Sequence, residues 1–236
     1  MPENEVFFMK YLIGLTILLG ANFASAGTKE DAFFDQYYSQ GGVVQNYDIS
    51  SLQLSNSNLQ RIDLRGSTAI QVQLDGAAMA ESDVSRVNFT QANLRGIDLN
   101  YSVANETNFS RADLSTNQNG ESYLKQLMAI NSDFSNANLS EANLEGANLT
   151  YSVFVKTNLR GAQLINVVLD EANLQGADLR GLNINKITDF SGANLENTKL
   201  QGAKFNNFTF MPFSGPDKSP SERRRINTAL GMVYQK

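Results

Sequence analysis

The chain contains no cysteine, no histidine and no tryptophan. Together these absences remove disulfides, thiolate nucleophiles, imidazole bases and the commonest transition-metal ligands. A serine nucleophile ordinarily needs a base held by a third group, and without histidine the familiar triad has none. Charge is sparse as well: charged residues make up 18% of the chain, and the formal net charge is -5. A nucleic-acid clamp needs a basic footprint, which this balance does not provide. Carboxylate pairs are the catalytic option that the composition leaves open.

Long hydrophobic runs are also lacking. The mostly apolar stretch from Tyr11 to Phe23 falls short of the about 20 residues that span a bilayer comfortably. Lys10 precedes it, and Ala24-Ser25-Ala26 follows with the small-x-small pattern of a cleavage site. Residues 1–26 therefore read as a secretory signal peptide, with Gly27 opening the mature chain. The acidic residues before Lys10 are atypical of a leader, so Met1 and Met9 both stand as possible starts. The expected destination is the periplasm or the extracellular space, or the thylakoid lumen in a cyanobacterium. No stable membrane span is expected after cleavage. Export without cysteine suits a protein whose core is continuous and needs no disulfide.

What the sequence does have is a period of five. From Ile49 onward a large apolar residue recurs at every fifth position, through Leu54, Leu59, Leu64 and Leu74 to Leu179 and Ile184. One residue is inserted at 185–187, and the frame resumes at Phe190, Leu195, Leu200, Phe205 and Phe210. Only Ala69, Ala104, Asn119 and Ala129 lack a large apolar group at these centres. Two positions before each centre the residue is usually small, as at Ala92, Ala142 and Ala147, and the position between is mostly Asn or Asp. A period of five fits neither a helix at 3.6 nor a strand at 2.0. It suits a solenoid that turns a corner in every repeat.

Ala92-Asn93-Leu94-Arg95-Gly96 and the run Glu141-Ala142-Asn143-Leu144-Glu145-Gly146-Ala147-Asn148-Leu149 resemble the pentapeptide-repeat family. The resemblance covers about residues 47–210 and implies an all-β solenoid, a right-handed quadrilateral β-helix with four repeats per coil. Coils of 20 residues would then stack about 4.8 Å apart. Every twentieth residue gives an expected interior column of Leu54, Leu74, Leu94, Leu114, Phe134, Phe154 and Leu174, and a second containing Phe89, Phe109, Leu149, Leu169, Phe190 and Phe210. Burying each such side chain is worth roughly 1.5–3 kcal/mol.

The expected organisation is a signal peptide (1–26), an N-terminal cap (27–46), the β-helix (47–210) and a C-terminal tail with a capping helix (211–236). Phe33, Phe34, Tyr37 and Tyr38 lie at helical spacing and suit the first cap. Ser219-Pro220-Ser221-Glu222 can start the second, which would place Ile226, Leu230 and Val233 on one face. Phe205, Phe208, Phe210, Met211 and Phe213 are expected to pack beneath that helix, giving a monomer, with an end-to-end dimer as the alternative.

Residues 115–131 break the motif while preserving the frame. Two readings stand. One is a degenerate coil with Leu124 in phase; the other is a partial excursion, with a turn at residues 117–120 and a short helix at 123–129. Tyr123, Lys125, Gln126, Leu127 and Met128 form the non-repetitive stretch expected to contact a partner. Leu99-Asn100-Tyr101-Ser102-Val103 recurs fifty residues later as Leu149-Thr150-Tyr151-Ser152-Val153. In 20-residue coils that spacing puts Tyr101 and Tyr151 on opposite sides of the rod.

The regular outward placement of the Asp residues marks them as turn-forming, so no catalytic, cofactor-binding or metal-binding residue is expected. The leading functional expectation is a non-catalytic exported scaffold that presents a surface to a macromolecule, most simply a protein, with no nucleic acid bound. The resemblance also implies an alternative, a DNA mimic acting on a type II topoisomerase. Arg65, Arg86, Arg95, Arg111, Arg160 and Arg180 interrupt the negative charge that such a mimic needs. A carboxylate-based enzyme is the remaining alternative.

Overall fold

Each pentad makes one side of a four-sided coil, and its residues divide the work between core, ladder and corner. The structure is a computed structural model that describes residues 28–118, 120–182, 188–190, 193–195, 198–200, 204–205, 209–210, 219–221 and 233–234. The centre residue and the small residue two before it both turn inward, so Ala77 and Met79, or Ala92 and Leu94, are buried as pairs. The residue between them projects outward and pairs with its counterpart in the next coil, as in Gln53↔Gln73↔Asn93. The two residues after the centre turn the corner. There the Leu52 N–H donates to the Ile49 carbonyl at 3.2 Å, and the Ala77 N–H to the Leu74 carbonyl at 3.0 Å. The second corner residue takes a positive φ, 59° at Tyr101 and 71° at Gly66, which is the mark of a type II turn.

Neighbouring coils exchange backbone hydrogen bonds along every side. The Leu54 N–H donates to the Gln73 carbonyl at 2.7 Å, and the Gln73 N–H donates to the Leu52 carbonyl at 2.9 Å. The inter-coil pairs are parallel, and the whole is a right-handed quadrilateral β-helix with one continuous apolar core along its axis.

Polar residues of the repeat serve this lattice. Outward Asp and Asn carbonyl or carboxylate oxygens accept from the backbone N–H two residues on, at 2.9 Å for Asp48 and Ser50 and 2.8 Å for Asn108 and Ser110. Asn side chains also link coils: Asn138 Nδ2 donates to Asp113 Oδ1 at 3.0 Å, and Asn158 Nδ2 to Asn138 Oδ1 at 2.9 Å. At most positions where the small inward residue is Ser or Thr, its hydroxyl donates to a carbonyl of the preceding coil, at 2.9 Å for Ser67 to Val44 and 2.8 Å for Thr107 to Val84. Burial therefore leaves the donating hydroxyls satisfied, with Ser122 beside the excursion an exception.

The register decides between the two readings of 115–131. Pairs are 20 residues apart from Val43↔Asp63 to Asn93↔Asp113. They then step by 25 at Asp98↔Tyr123, Val103↔Met128, Asn108↔Asp133 and Asp113↔Asn138, and return to 20 at Tyr123↔Asn143. One pentad's worth of chain is extruded, so the segment is an excursion. It is shorter than the sequence suggests, running over residues 115–121, and the expected helix at 123–129 does not form. Tyr123 and Met128 are ladder residues, while Leu124, Leu127 and Ala129 are fully buried. Their inward pentad spacing lets coil packing override local helical preference.

The 25-residue step also corrects the interior columns. Asp113 pairs with Asn138, which brings Leu114 over Leu139 rather than Phe134. Phe134 instead joins the column of Phe109. The four rings of Phe89, Phe109, Phe134 and Phe154 stack in succession, with centroids 5.4, 4.9 and 4.7 Å apart and planes within 10° of parallel. A second, smaller step occurs where the frame slips: Asn158 pairs with Asp178, but Asn173 pairs with Asn194 and Asp178 with Lys199. The residue responsible, placed by the sequence at 185–187, lies outside the described residues.

Helix α1 (Lys29–Ser39) closes the N-terminal end. Thr28 and Asp31 form a capping box with two 3.1 Å bonds, and Glu30 and Asp31 complement the positive end of the helix dipole. Phe33 is buried at the end of the core, with Phe34 and Tyr37 packed against it. The first coil pair involves Val43, earlier than the expected boundary at 47. Toward the C-terminus, strand β1 (Thr188–Asp189) pairs in parallel with β3 (Thr209–Phe210), and β2 (Lys204–Phe205) with β4 (Val233–Tyr234). Val233 thus extends the ladder and does not lie on a helix face. Pro220 and Ser221 are helical, at the expected start of the C-terminal helix; residues 222–232, Phe208, Met211, Phe213 and the expected signal peptide lie outside the described residues. Among the described residues, no helix is long and apolar enough to cross a membrane.

Candidate functional site

The excursion is fixed onto the rod by its own turn and by one corner of the coil. Asn117 and Gly120 exchange backbone hydrogen bonds at 3.0 and 3.3 Å, closing a tight turn. The Asn117 amide then donates to the Arg95 carbonyl at 3.1 Å, and the Arg95 guanidinium reaches the Thr116 carbonyl at 3.4 Å. Gly96 makes this docking possible, because a Cβ there would overlap the Asn117 side chain. Between excursion and coil lies a small polar hollow of about 100 Å³, lined by Asp75, Asn93, Arg95, Asn117 and Gln118. At the end of the excursion, the Ser122 hydroxyl is buried with no hydrogen-bond partner among the described residues.

The expected contact residues are divided by the coil. Tyr123 and Met128 are exposed on two adjoining faces, with Lys125 and Gln126 on the corner between them. Lys125 is held by Glu145 at 3.3 Å. Leu127 belongs to the core and is fully buried, so it is unable to touch a partner. Its inward position follows from standing two residues before the centre Ala129.

Extrusion of a pentad changes which side each later residue occupies. Tyr101 stacks in a corner column with Gln126, as its N–H donates to Lys125 O, and Tyr151 lies in the next corner column, above Asn131. The face between those two corners carries the ladder Val103↔Met128↔Asn148↔Val168. The tyrosines therefore flank one face from its two edges, contrary to the opposite-sided placement that uniform coils imply. Of the six large apolar side chains exposed among the described residues, Tyr101 (66%), Tyr151 (57%), Met128 (44%) and Val168 (38%) cluster on this face or its edges. Val43 begins the same ladder three coils before Val103, and Tyr123 lies on the adjoining face. Half-buried Val103, Ile130 and Ile165 fill in around them. Sequence reasoning missed this cluster, because its signal depends on the 25-residue step.

Elsewhere two arginines pair with an aspartate of their own repeat. Arg65 grips the Asp63 carboxylate with bonds of 2.9 and 2.7 Å, and Arg180 grips Asp178 at 2.8 and 2.6 Å. Each arginine's hydrogen bond holds its partner carboxyl below the usual carboxylate range, against a smaller opposing effect of burial. Asp48 is also lowered, by its bonds from Ser50. No cluster of Asp and Glu suited to hold a metal ion occurs among the described residues.

A family model described as pentapeptide repeats matches the chain in 8 copies, over residues 49–86, 82–116, 130–162, 147–185 and 188–210. The unmatched interval between 116 and 130 contains the excursion. Among solved structures, HetL, a protein of the cyanobacterium Nostoc sp. strain PCC 7120 involved in heterocyst differentiation regulation, is 21% identical, with 76% of this chain and 95% of that one covered and a TM-score of 0.35. Full-length QnrB1, a plasmid-mediated fluoroquinolone resistance protein, is 13% identical over 82% of this chain and 92% of that one, with a TM-score of 0.47. A protein of the Arabidopsis thaliana thylakoid lumen is 24% identical over 48% of this chain and 68% of that one, with a TM-score of 0.32. No curated protein matches the chain.

Proposed function

The chain belongs to the pentapeptide-repeat family, and from that premise we propose that it is a non-catalytic scaffold, exported from the cytoplasm, whose rod presents a surface to a protein partner. The observation that carries this reading is the use made of the side chains capable of chemistry. Outward Asp and Asn oxygens cap the corner turns or link coils, and most inward Ser and Thr hydroxyls donate to the preceding coil. Groups so occupied hold the lattice together and have little freedom to act on a substrate. A DNA mimic needs dense negative charge along the rod, whereas Arg65 and Arg180 neutralise Asp63 and Asp178 within single repeats. That favours the scaffold reading over mimicry.

Export is supported by Lys10, the apolar stretch 11–23 and Ala24-Ser25-Ala26. Mass spectrometry of the protein from fractionated cells tests it, with Gly27 expected at the N-terminus and a product retaining Lys10 counting against it. Crosslinking in that same fraction tests the scaffold reading. The expected result is a reproducible protein adduct, and turnover of a small molecule by the purified chain would contradict it.

A further inference from the structure

From the arrangement of its apolar and acidic side chains, we infer that the face bounded by Tyr101 and Tyr151 docks a protein segment that presents apolar side chains flanked by lysine or arginine. The inference rests on the scaffold reading and adds to it a location and a partner chemistry. Three observations carry it. First, the other faces are mainly polar along their ladders. That of Gln73, Asn93, Asp113, Asn138 and Asn158 has no apolar member, and that of Thr68, Asn88, Asn108, Asp133 and Asn173 has Val153 alone. The fourth has Ala78 and Tyr123 among Asn58, Asp98, Asn143 and Gln163. The face in question instead has Val103, Met128 and Val168 within four consecutive coils, a span of about 14 Å at the spacing of parallel strands. Asn148, the polar member, turns its Oδ1 to its own corner, accepting from Thr150 N and Oγ1 at 3.2 and 2.7 Å. At that level the exposed Tyr151 ring supplies apolar surface from the edge.

Second, the two tyrosines sit where a tyrosine is costly. Both are second corner residues with φ near 60°, a conformation that costs an L-residue with a Cβ about 1–2 kcal/mol. Elsewhere the same corner columns hold glycine, at Gly146 and Gly66, or polar and charged residues, at Glu81, Gln126, Arg86, Glu106 and Asn131, all at positive φ. The lattice therefore accepts a side chain there but does not require an aromatic one. Aromatic and methionine side chains at the centre of an otherwise polar surface are the composition of an interface core.

Third, the rim has a definite sign. Across these coils the corners carry Glu106, Glu145, Asp170 and Glu171 against Lys125 alone. Lys125 is paired with Glu145, and the other three carboxylates have no ion-pair partner among the described residues. Such a rim attracts a basic partner and repels an anionic bilayer. It also disfavours a second copy docked face to face, which would oppose acid to acid.

The test selects short random peptides, displayed on phage, against the full chain. Binding is then measured to the wild type, to Met128→Asn/Val168→Asn and to Tyr101→Gly. The substitutions install residues that the repeat already uses at equivalent positions, and an unchanged melting curve verifies the fold. Selected peptides are expected to combine apolar residues with Lys or Arg, to bind the Asn double variant about tenfold or more weakly, and to weaken as salt rises. If the double variant fails to fold, the same loss is required of Tyr101→Gly. Peptides that bind all forms equally, or that are acidic, overturn the face and leave the scaffold reading standing. A chain that enriches no peptide counts against both. Binding of the wild type to anionic phospholipid vesicles, or dimerisation abolished by the Asn double variant, assigns the face to another occupant and overturns the inference.

Discussion

Phe134→Ala probes the stacked core at its most connected ring. Phe134 is fully buried and lies between Phe109 and Phe154, with centroids at 4.9 and 4.7 Å. Truncating a buried phenylalanine costs about 3–5 kcal/mol through lost transfer energy and the cavity left behind. Each ring pair adds about 0.5–1.5 kcal/mol beyond area burial. Phe134→Ala breaks two such pairs. Phe89→Ala, at the foot of the column, breaks one, since Phe89 stacks on Phe109 at 5.4 Å while Ala69 lies on its other side. The expected result is a loss near the top of the range for Phe134→Ala, exceeding that of Phe89→Ala by about 1 kcal/mol. Equilibrium urea unfolding followed by circular dichroism measures both, with the slope checked because repeat arrays can lose two-state behaviour. Equal losses at the two sites, or a loss below about 2 kcal/mol at Phe134, would refute the continuous stack and the register that builds it.

Two further outcomes follow from the same geometry. Replacing residues 116–121 with a single glycine removes the five extra residues and leaves a 20-residue coil; the unfolding free energy in urea should change by no more than the worth of a lost hydrogen bond or so, about 1 kcal/mol, and loss of a cooperative transition would contradict this. Acid should destabilise the rod in a defined window. Asp63 and Asp178 have lowered folded values, so their contribution is full above the ordinary carboxylate value of about 3.9 and is lost as pH falls through it toward those lowered values. Arg65→Gln/Arg180→Gln should flatten that acid limb of the urea midpoint, and an unchanged limb would show that the forks do not set it.

The period of five revealed the solenoid because each inward residue repeats the same physical task. Ala, Ser or Thr two before the centre and Leu or Phe at the centre are the residues that the structure buries. The extruded pentad was harder to read because adding five residues preserves the frame: Leu114 and Phe134 remain 20 apart in sequence while ceasing to be neighbours in space. A usable signal lay in the phenylalanines, whose spacings of 20, 25 and 20 at Phe89, Phe109, Phe134 and Phe154 stack like on like only if a pentad is skipped. Missing that step misplaced Tyr101 and Tyr151, and with them the apolar face. Leu127 was misassigned for a related reason: its neighbours look irregular in sequence, yet it has the inward position of an ordinary repeat. The Val233 strand was not legible from local pattern, because its pairing with Lys204 depends on a distant coil.

The 25-residue step underlies the ring stack, the position of the excursion and the composition of the apolar face, and a disulfide can report it directly. The chain has no cysteine, so an engineered pair forms without competition. Paired residues on adjacent parallel strands lie about 4.8 Å apart, within the range a disulfide bridges. Asn108→Cys/Asp133→Cys joins residues that the structure pairs across the step, whereas Asp113→Cys/Asp133→Cys joins residues that would pair in an unbroken 20-residue register. Under mild oxidation, the account expects the first variant to form the intramolecular disulfide, seen by mass spectrometry after thiol alkylation, and the second to remain reduced. A disulfide in the second and free thiols in the first would contradict the step and everything built on it.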